Sequence, residues 1–278
     1  TTRSTRVRVL PPLPAPYPDR KVRAVPHLRE VWDYINPQML YVRHLGFKSN
    51  FENALAARDP KALELYHTVE EVKTEALTFM KVKAVWQFFE AESDGNSIRL
   101  FHPSSLLPQP SLLHTFHFPR QRKPDGLCLS DYINPPRDSL AVFVVTAGAG
   151  ILERANEFKA RGEFLKSHAL QALALETAEA AAEWLHRRIR EDWGFPDPAD
   201  LTMLDRFQAR YRGKRYSFGY PACPALEDQA GIWKLLKPED IGVNLTEGCM
   251  MEPEASVSAL VFHHPDAAYF SVGDAGPT

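Results

Sequence analysis

The sequence contains no apolar run near the roughly 20 residues a membrane-spanning helix needs, and its basic, mostly polar start, Thr1–Arg8, lacks a signal-peptide layout. Cysteine is scarce. Cys128, Cys223 and Cys249 form an odd set without C-x-x-C spacing, which argues against a disulfide framework or structural zinc and suits a reducing, cytoplasmic setting. Neither sign of charge is in excess: the formal net charge is -2, so no whole-chain field draws the molecule to nucleic acid or an anionic membrane. There is no G-x-G-x-x-G after a strand pattern, no G-x-S-x-G and no H-E-x-x-H. A dinucleotide site, a hydrolase elbow and a zinc-protease helix are therefore disfavoured.

What is present is enough for a sizeable core: 278 residues, 44% hydrophobic. The chain starts at Thr1 and reads as a piece or processed product of something longer. Leu10–Pro26, with five prolines between Pro11 and Pro18, excludes a helix and reads as an extended connector or as an arm packed on its own domain. We therefore divide the chain into an arm, residues 1–26, and a domain, residues 27–278. Helical spacing recurs over Leu28–Leu45, interrupted at Pro37, and again over Lys61–Met80 behind Asp59-Pro60. Lys83–Ala91 and Ser97–His102 flank the turn Asp94-Gly95-Asn96 and predict a hairpin. Leu112–Phe118, Ser139–Thr146, Ser256–His263 and Tyr269–Val272 predict further strands, and Leu129–Tyr132 a helical turn. Ile151–Trp193 predicts a long helix divided at Gly162, followed by helices over Pro198–Tyr211 and Ala225–Leu236 and a turn at Pro238–Ile241. The order is not a βαβ alternation. It predicts an α+β fold with an antiparallel sheet.

Several motifs offer chemistry. Ala147-Gly148-Ala149-Gly150 sits between strand and helix like a phosphate cradle, but lacks the P-loop Lys and Ser/Thr; a tight connection suits it better. His263-His264 point to opposite faces of a strand and make poor joint ligands. Two Glu-x-x-His segments, Glu64–His67 and Glu183–His186, together with Glu179, are the pattern of a helical carboxylate-bridged metal enzyme. Visible strands and the absence of four uninterrupted helices weigh against it. Arg212–Pro224 (RGKRYSFGYPACP) combines Arg215, the trio Phe218-Gly219-Tyr220 and two stiffening prolines. Arg can grip a carboxylate, Gly allows close backbone approach, and an aromatic can stack on a flat ring. A packed surface loop or partner-docking module fits the same residues.

Glu183-Trp184-Leu185-His186, Trp193-Gly194 and the R-x-x-x-G-Y-P-A-C-P run Arg215–Pro224 resemble the activation domain of cobalamin-dependent methionine synthases. So do the later Ile232-Trp233-Lys234-Leu235-Leu236, Leu245-Thr246-Glu247, Ala255–Ser258, His264-Pro265-Asp266 and Tyr269-Phe270. The resemblance runs from about residue 26 to residue 273. It implies a bent, roughly C-shaped single domain that binds S-adenosylmethionine in a shallow groove. It also implies a role: after oxidation to cob(II)alamin, an electron from flavodoxin or a flavoprotein reductase and a methyl group from S-adenosylmethionine restore the cofactor. The cobalamin would be held mainly by another domain of the same chain, in keeping with the absence here of a D-x-H-x-x-G cobalt-ligand motif. By motif, Arg215 would take the ligand carboxylate and Glu179 the amino group. Ser217, Gly219 and Tyr220 would line the adenosyl portion, Tyr269 and Phe270 would close the site, and Asp33 would be the acidic residue near the domain start. Ser217 and Phe218 stand where the family often has Ala and Pro, and Phe270 where it often has Tyr, which predicts altered affinity with the site retained.

Overall fold

The computed structural model describes residues 3–103 and 110–273; the expected outer boundaries at residues 1 and 278 lie outside them. The strands are β1 (Lys21–Val25), β2 (Val82–Asp94), β3 (Ser97–Phe101), β4 (Leu112–His117), β5 (Asp138–Thr146), β6 (Lys214–Tyr216), β7 (Asn244–Leu245), β8 (Met251–Glu252) and β9 (Ser256–Phe262). The helices are α1 (Leu28–Trp32), α2 (Phe51–Ala56), α3 (Pro60–Ala76), α4 (Ile151–Ala160), α5 (Phe164–Trp193), α6 (Met203–Phe207) and α7 (Ala230–Leu236). The main sheet runs β4-β3-β2-β5-β9-β6, with β1 joining β2 beside β3, and β7-β8 form a separate ribbon. Every pairing is antiparallel. This is the α+β architecture the sequence predicts.

Both faces of the sheet are covered. Along β5, Ala141, Phe143 and Val145 join the core under α3–α5, while Leu140, Val142 and Val144 join a second core under α7. A strand buried on both sides needs apolar residues at every step, hence the unbroken run Leu140–Val145. Phe143 is 0% exposed, and such a side chain contributes about 1.5–3 kcal/mol on burial. On α3 the buried residues Ala62, Leu65, Val69, Val72 and Ala76 recur at 3- and 4-residue steps, which turns one stripe to the core. The helix starts where Asp59 accepts hydrogen bonds from the Lys61 and Ala62 amides, with Pro60 in its first turn. Gly162 (φ 77°) separates α4 from α5, and Gly194 (φ 98°) ends α5.

The proline-rich arm is laid along this sheet. Leu13, Ala15 and Tyr17 pack on the helical-side core. The Leu10 amide donates to Asn134 and the Leu13 amide to Asp138. The Tyr17 hydroxyl accepts from Trp86 Nε1 and donates to Asp192, both at 2.8 Å.

Three expectations need correction. The helix predicted over Pro198–Tyr211 shrinks to α6, because Thr202 and Asp205 cap one short turn and Ala209 takes a positive φ. The predicted loop after Arg212 opens as strand β6. The strand predicted over Tyr269–Val272 is irregular: it has no ladder partner among the described residues and is held by single bonds, such as Val272 N to Pro221 O at 3.2 Å.

Candidate binding site

Helix α5 carries a polar stripe on an otherwise apolar face. Glu176, Glu179, Glu183, His186 and Arg190 recur at alternating steps of 3 and 4 residues and therefore share one side of the helix. Strand β6 lies alongside. It pairs with β9 through Lys214–Phe262, Arg215–Val261 and Tyr216–Leu260. The two-residue period sends Tyr216 into the α7-side core and Arg215 to the opposite face, towards α5. Gly213 makes this pairing possible: its φ is 78°, and a Cβ there would strike the Phe262 carbonyl oxygen.

Arg215 NH2 donates to Glu183 Oε2 at 3.0 Å, and NH1 donates to Tyr211 Oη and His186 Nδ1, each at 3.1 Å. Burial works against the guanidinium charge, but Glu183, Tyr211 and Tyr269 hold its pKa well above the ordinary value. His186 is fully buried. Burial first, then the cations Arg190, Arg215 and Lys214, hold its pKa well below the usual histidine range, so the ring is neutral. Behind it Arg190 covers the Tyr211 ring at 3.7 Å and pairs with Asp197, which also takes Arg206.

Arg215 and Glu179 line a hollow of about 710 Å³. A second hollow, of about 490 Å³, adjoins it and shares Glu179, Arg215, Tyr220 and Ser256. Glu179 is open to solvent at this junction, yet the concave surroundings raise its carboxyl pKa by desolvation; Arg215 opposes the rise, and Glu176 and Glu183 add to it.

The outer wall is made of loops. Gly219, at φ 92°, closes a turn in which its amide donates to Cys223 O and the Cys223 amide donates to Tyr220 O. Ser217 Oγ donates to Ser258 O. The segment after β9 is pinned where Tyr216 Oη donates to Ala268 O at 2.7 Å, and the Tyr269 ring meets Tyr216 edge-on at 5.4 Å. Tyr220, Met250 and Tyr269 stand 61%, 58% and 58% exposed around the mouth.

Of the residues singled out from sequence, Glu179, Arg215, Ser217, Tyr220, Tyr269 and Phe270 line the larger hollow. Gly219 shapes the loop beneath Tyr220. Asp33 is not brought to them: it is exposed at the end of α1 and lines neither hollow, although Tyr34 and Asn36 reach the smaller one. The metal pattern does not assemble. Glu64 and His67 are exposed on α3, Glu183 and His186 are buried against Arg215, and no group of three or more His, Cys, Asp or Glu among the described residues is placed to hold a metal ion. Sequence reasoning missed Tyr211 and the roles of Glu183 and His186 as partners of Arg215. It also missed Met250 and Met251, which reach the larger hollow from the β7-β8 ribbon; no pattern in the chain announces them. Among the described residues no helix is long and apolar enough to cross a membrane.

A charged inner wall facing an aromatic mouth, on an antiparallel sheet with flanking helices, gives this α+β domain a concave, ligand-sized hollow. Comparison with known proteins places it further. Residues 27–277 match the family model "Vitamin B12 dependent methionine synthase, activation domain", and the chain belongs to that family. It is 38% identical to the methionine synthase of Mycobacterium tuberculosis (strain ATCC 25618 / H37Rv) over 202 residues, covering 68% of this chain and 17% of that protein. With the methionine synthase of Mycobacterium leprae (strain TN) it shares 34% identity over 202 residues, with the same coverage of 68% and 17%. The chain thus spans about a sixth of the length of these curated relatives. Among solved structures, the crystal structure of the MetH reactivation domain bound to AdoHcy superposes with a TM-score of 0.86 at 27% identity, covering 94% of this chain and 83% of that one.

Proposed function

We propose that this chain is the reactivation module of a cobalamin-dependent methionine synthase, binding S-adenosylmethionine in the larger hollow. The observation that carries the reading is the meeting of a fixed cation, Arg215, and an acid, Glu179, on the inner wall of a hollow whose mouth is aromatic. The ligand needs those three features. Its carboxylate fits the guanidinium. Its ammonium and sulfonium favour a nearby carboxylate. Its adenosyl group fits beside Tyr220, Tyr269 and Phe270. The volume of about 710 Å³ falls in the range of roughly 300–1,000 Å³ usual for such ligands.

The sulfonium methyl is already electrophilic; its bond to sulfur breaks with the electron pair passing to sulfur, and a reduced corrin supplies the acceptor. The residues of this chain need only hold and aim the donor, so no general base or protein nucleophile is called for. Arg215 and Glu179 grip the amino-acid end against rigid elements, and the exposed rim at Tyr220, Met250 and Tyr269 leaves the mouth open to a second surface. That surface is the cobalamin-binding region of the same enzyme, and the electron comes from flavodoxin or a flavoprotein reductase. In this reading residues 27–278 are the binding module, residues 1–26 its arm, and Cys128, Cys223 and Cys249, all free thiols, suit a cytoplasmic enzyme.

Calorimetric titration with S-adenosylmethionine tests it. The chain is expected to bind one equivalent, and Arg215→Ala to weaken binding by about 1.5–3 kcal/mol, the worth of a hydrogen bond to a charged group. A folded wild-type chain that does not bind overturns the proposal in favour of a docking module.

A further inference from the structure

Glu183 and His186 lie one turn apart on α5, and both grip one guanidinium. The spacing that reads as half of a metal site in the sequence is an arginine clamp in three dimensions. Glu183 Oε2 holds Arg215 NH2 at 3.0 Å and His186 Nδ1 holds NH1 at 3.1 Å. A guanidinium only donates, so Nδ1 presents its lone pair and the ring proton sits on Nε2, which is buried with no hydrogen-bond partner among the described residues. Of the three acceptors around Arg215, only Glu183 is an anion; His186 and Tyr211 are neutral.

We propose that His186 is a positioning residue for the ligand carboxylate: an uncharged acceptor that fixes Arg215 at the hollow while leaving one carboxylate, that of Glu183, as its only anionic holder. The proposal rests on the functional reading above. The physical reason is charge balance. With Glu179 already on the same wall, a second carboxylate in the clamp beside Glu183 would surround Arg215 with negative charge, and an incoming carboxylate would be repelled. A clamp without His186 would leave NH1 with Tyr211 as its one partner and hold the guanidinium less firmly. A buried neutral imidazole avoids both faults. It is stiff, it accepts through one nitrogen, and its protonation is disfavoured by Arg190, Arg215 and Lys214.

The test compares two ligands that differ at one end. S-adenosylhomocysteine carries the carboxylate; 5′-methylthioadenosine has the same adenosyl thioether without the amino-acid end. Both are titrated into the wild-type chain and into His186→Ala, His186→Gln and His186→Glu, with thermal melts to establish folding. In His186→Ala, affinity for S-adenosylhomocysteine is expected to fall roughly tenfold or more, and that for methylthioadenosine to stay within about twofold. His186→Gln, which restores a neutral acceptor, recovers most of the loss. His186→Glu removes S-adenosylhomocysteine binding and spares methylthioadenosine. If His186→Ala does not fold, the contrast of His186→Gln with His186→Glu decides the matter. Equal loss of both ligands in the variants means that His186 only packs the core, and overturns the proposal; so does no loss of either. A wild-type chain that binds neither ligand overturns the functional reading, and the clamp falls with it.

Discussion

The two walls of the hollow are built differently. The inner wall stands on regular structure: Glu179, Glu183 and His186 project from α5, and Arg215 from β6. Behind it the charges are buried and paired, with the Arg190, Asp197 and Arg206 side chains 1%, 2% and 7% exposed. The outer wall stands on loops, the turn at Gly219-Tyr220, the tip of the β7-β8 ribbon and the segment after β9, held by scattered single hydrogen bonds. The chemistry assigned to each wall matches. A carboxylate grip needs a guanidinium fixed to within a fraction of an ångström, which elements provide; a mouth that meets another surface needs exposed rings on adaptable loops.

The largest effects are expected on the inner side. Asp197→Ala would leave Arg190 and Arg206 buried without their anion. Removing one partner of a buried ion pair costs about 3–5 kcal/mol, read as a fall in the urea midpoint; a loss below about 1 kcal/mol would show the inner wall to be no stiffer than a surface. The pH dependence has a definite sign. Burial raises the Asp197 pKa, but Arg190 and Arg206 bring it below the ordinary value. Its contribution to stability is therefore present above the unfolded carboxylate pKa, near 3.9, and is lost as pH falls through the lowered folded value. Next comes Gly213→Ala. It forces a positive φ on alanine, a strain of order 1–3 kcal/mol, and drives a methyl into Phe262 O. That unseats β6, so stability and S-adenosylmethionine affinity should fall together. Gly219→Ala, on the outer side, carries the φ strain alone, because its Cβ would meet only Leu226 Cδ1 at 3.5 Å. Equal losses for the two glycines would erase the distinction between the walls.

The same division explains what the sequence makes legible. Elements that repeat a period over many residues declare themselves: α3 with its apolar stripe, α5 with its glycine boundaries, β5 with its doubly buried run. Strand β6 is three residues long, too short to show alternation, and its existence depends on Gly213 passing close to β9. The segment around Tyr269 has the aromatic and β-branched composition of a strand, but its side chains pack on Tyr216 and Tyr132 in place of a ladder. Arg215 and Tyr220 stand out in one loop. The partners of Arg215 do not, because Glu183 and His186 lie 32 and 29 residues upstream on a helix whose local pattern fits a metal site equally well. Tertiary contact, which no local spacing encodes, chose between the two.

Smaller effects belong to the outer wall. Tyr220→Ala and Tyr269→Ala each remove an exposed ring from the mouth. Each should weaken S-adenosylmethionine by about 0.5–1.5 kcal/mol, the worth of an aromatic contact beyond its area, and leave the denaturation midpoint unchanged, because surface truncations usually stay within about 0.5 kcal/mol. A drop in stability as large as the drop in affinity would mean that these rings hold the fold together, and the contrast of walls would fail on its outer side.

The smallest effect is expected where the arm touches the outer wall. Arg8 NH2 and Nε meet the Asp266 carboxylate at 2.7 and 2.9 Å, the Arg8 amide donates to it at 3.0 Å, and His264 Nε2 donates to Arg8 O at 2.9 Å. The Arg8 hydrogen bond is the main reason the Asp266 pKa is lowered to about 2. The pair's contribution is present above the ordinary carboxylate pKa and is lost as pH falls towards the folded value. In Arg8→Ala the backbone amide still donates, so a carbon-detected titration should find the Asp266 pKa raised yet short of the unperturbed value. Because the side chain is exposed and the segment keeps its bonds to Tyr132 and Tyr216, ligand affinity at neutral pH should hardly change. A loss of affinity matching that of Tyr269→Ala would relocate the control of the outer wall to the arm, through the two residues, Ala267 and Ala268, that separate Asp266 from Tyr269 in the chain and the loss of the charge that anchors them.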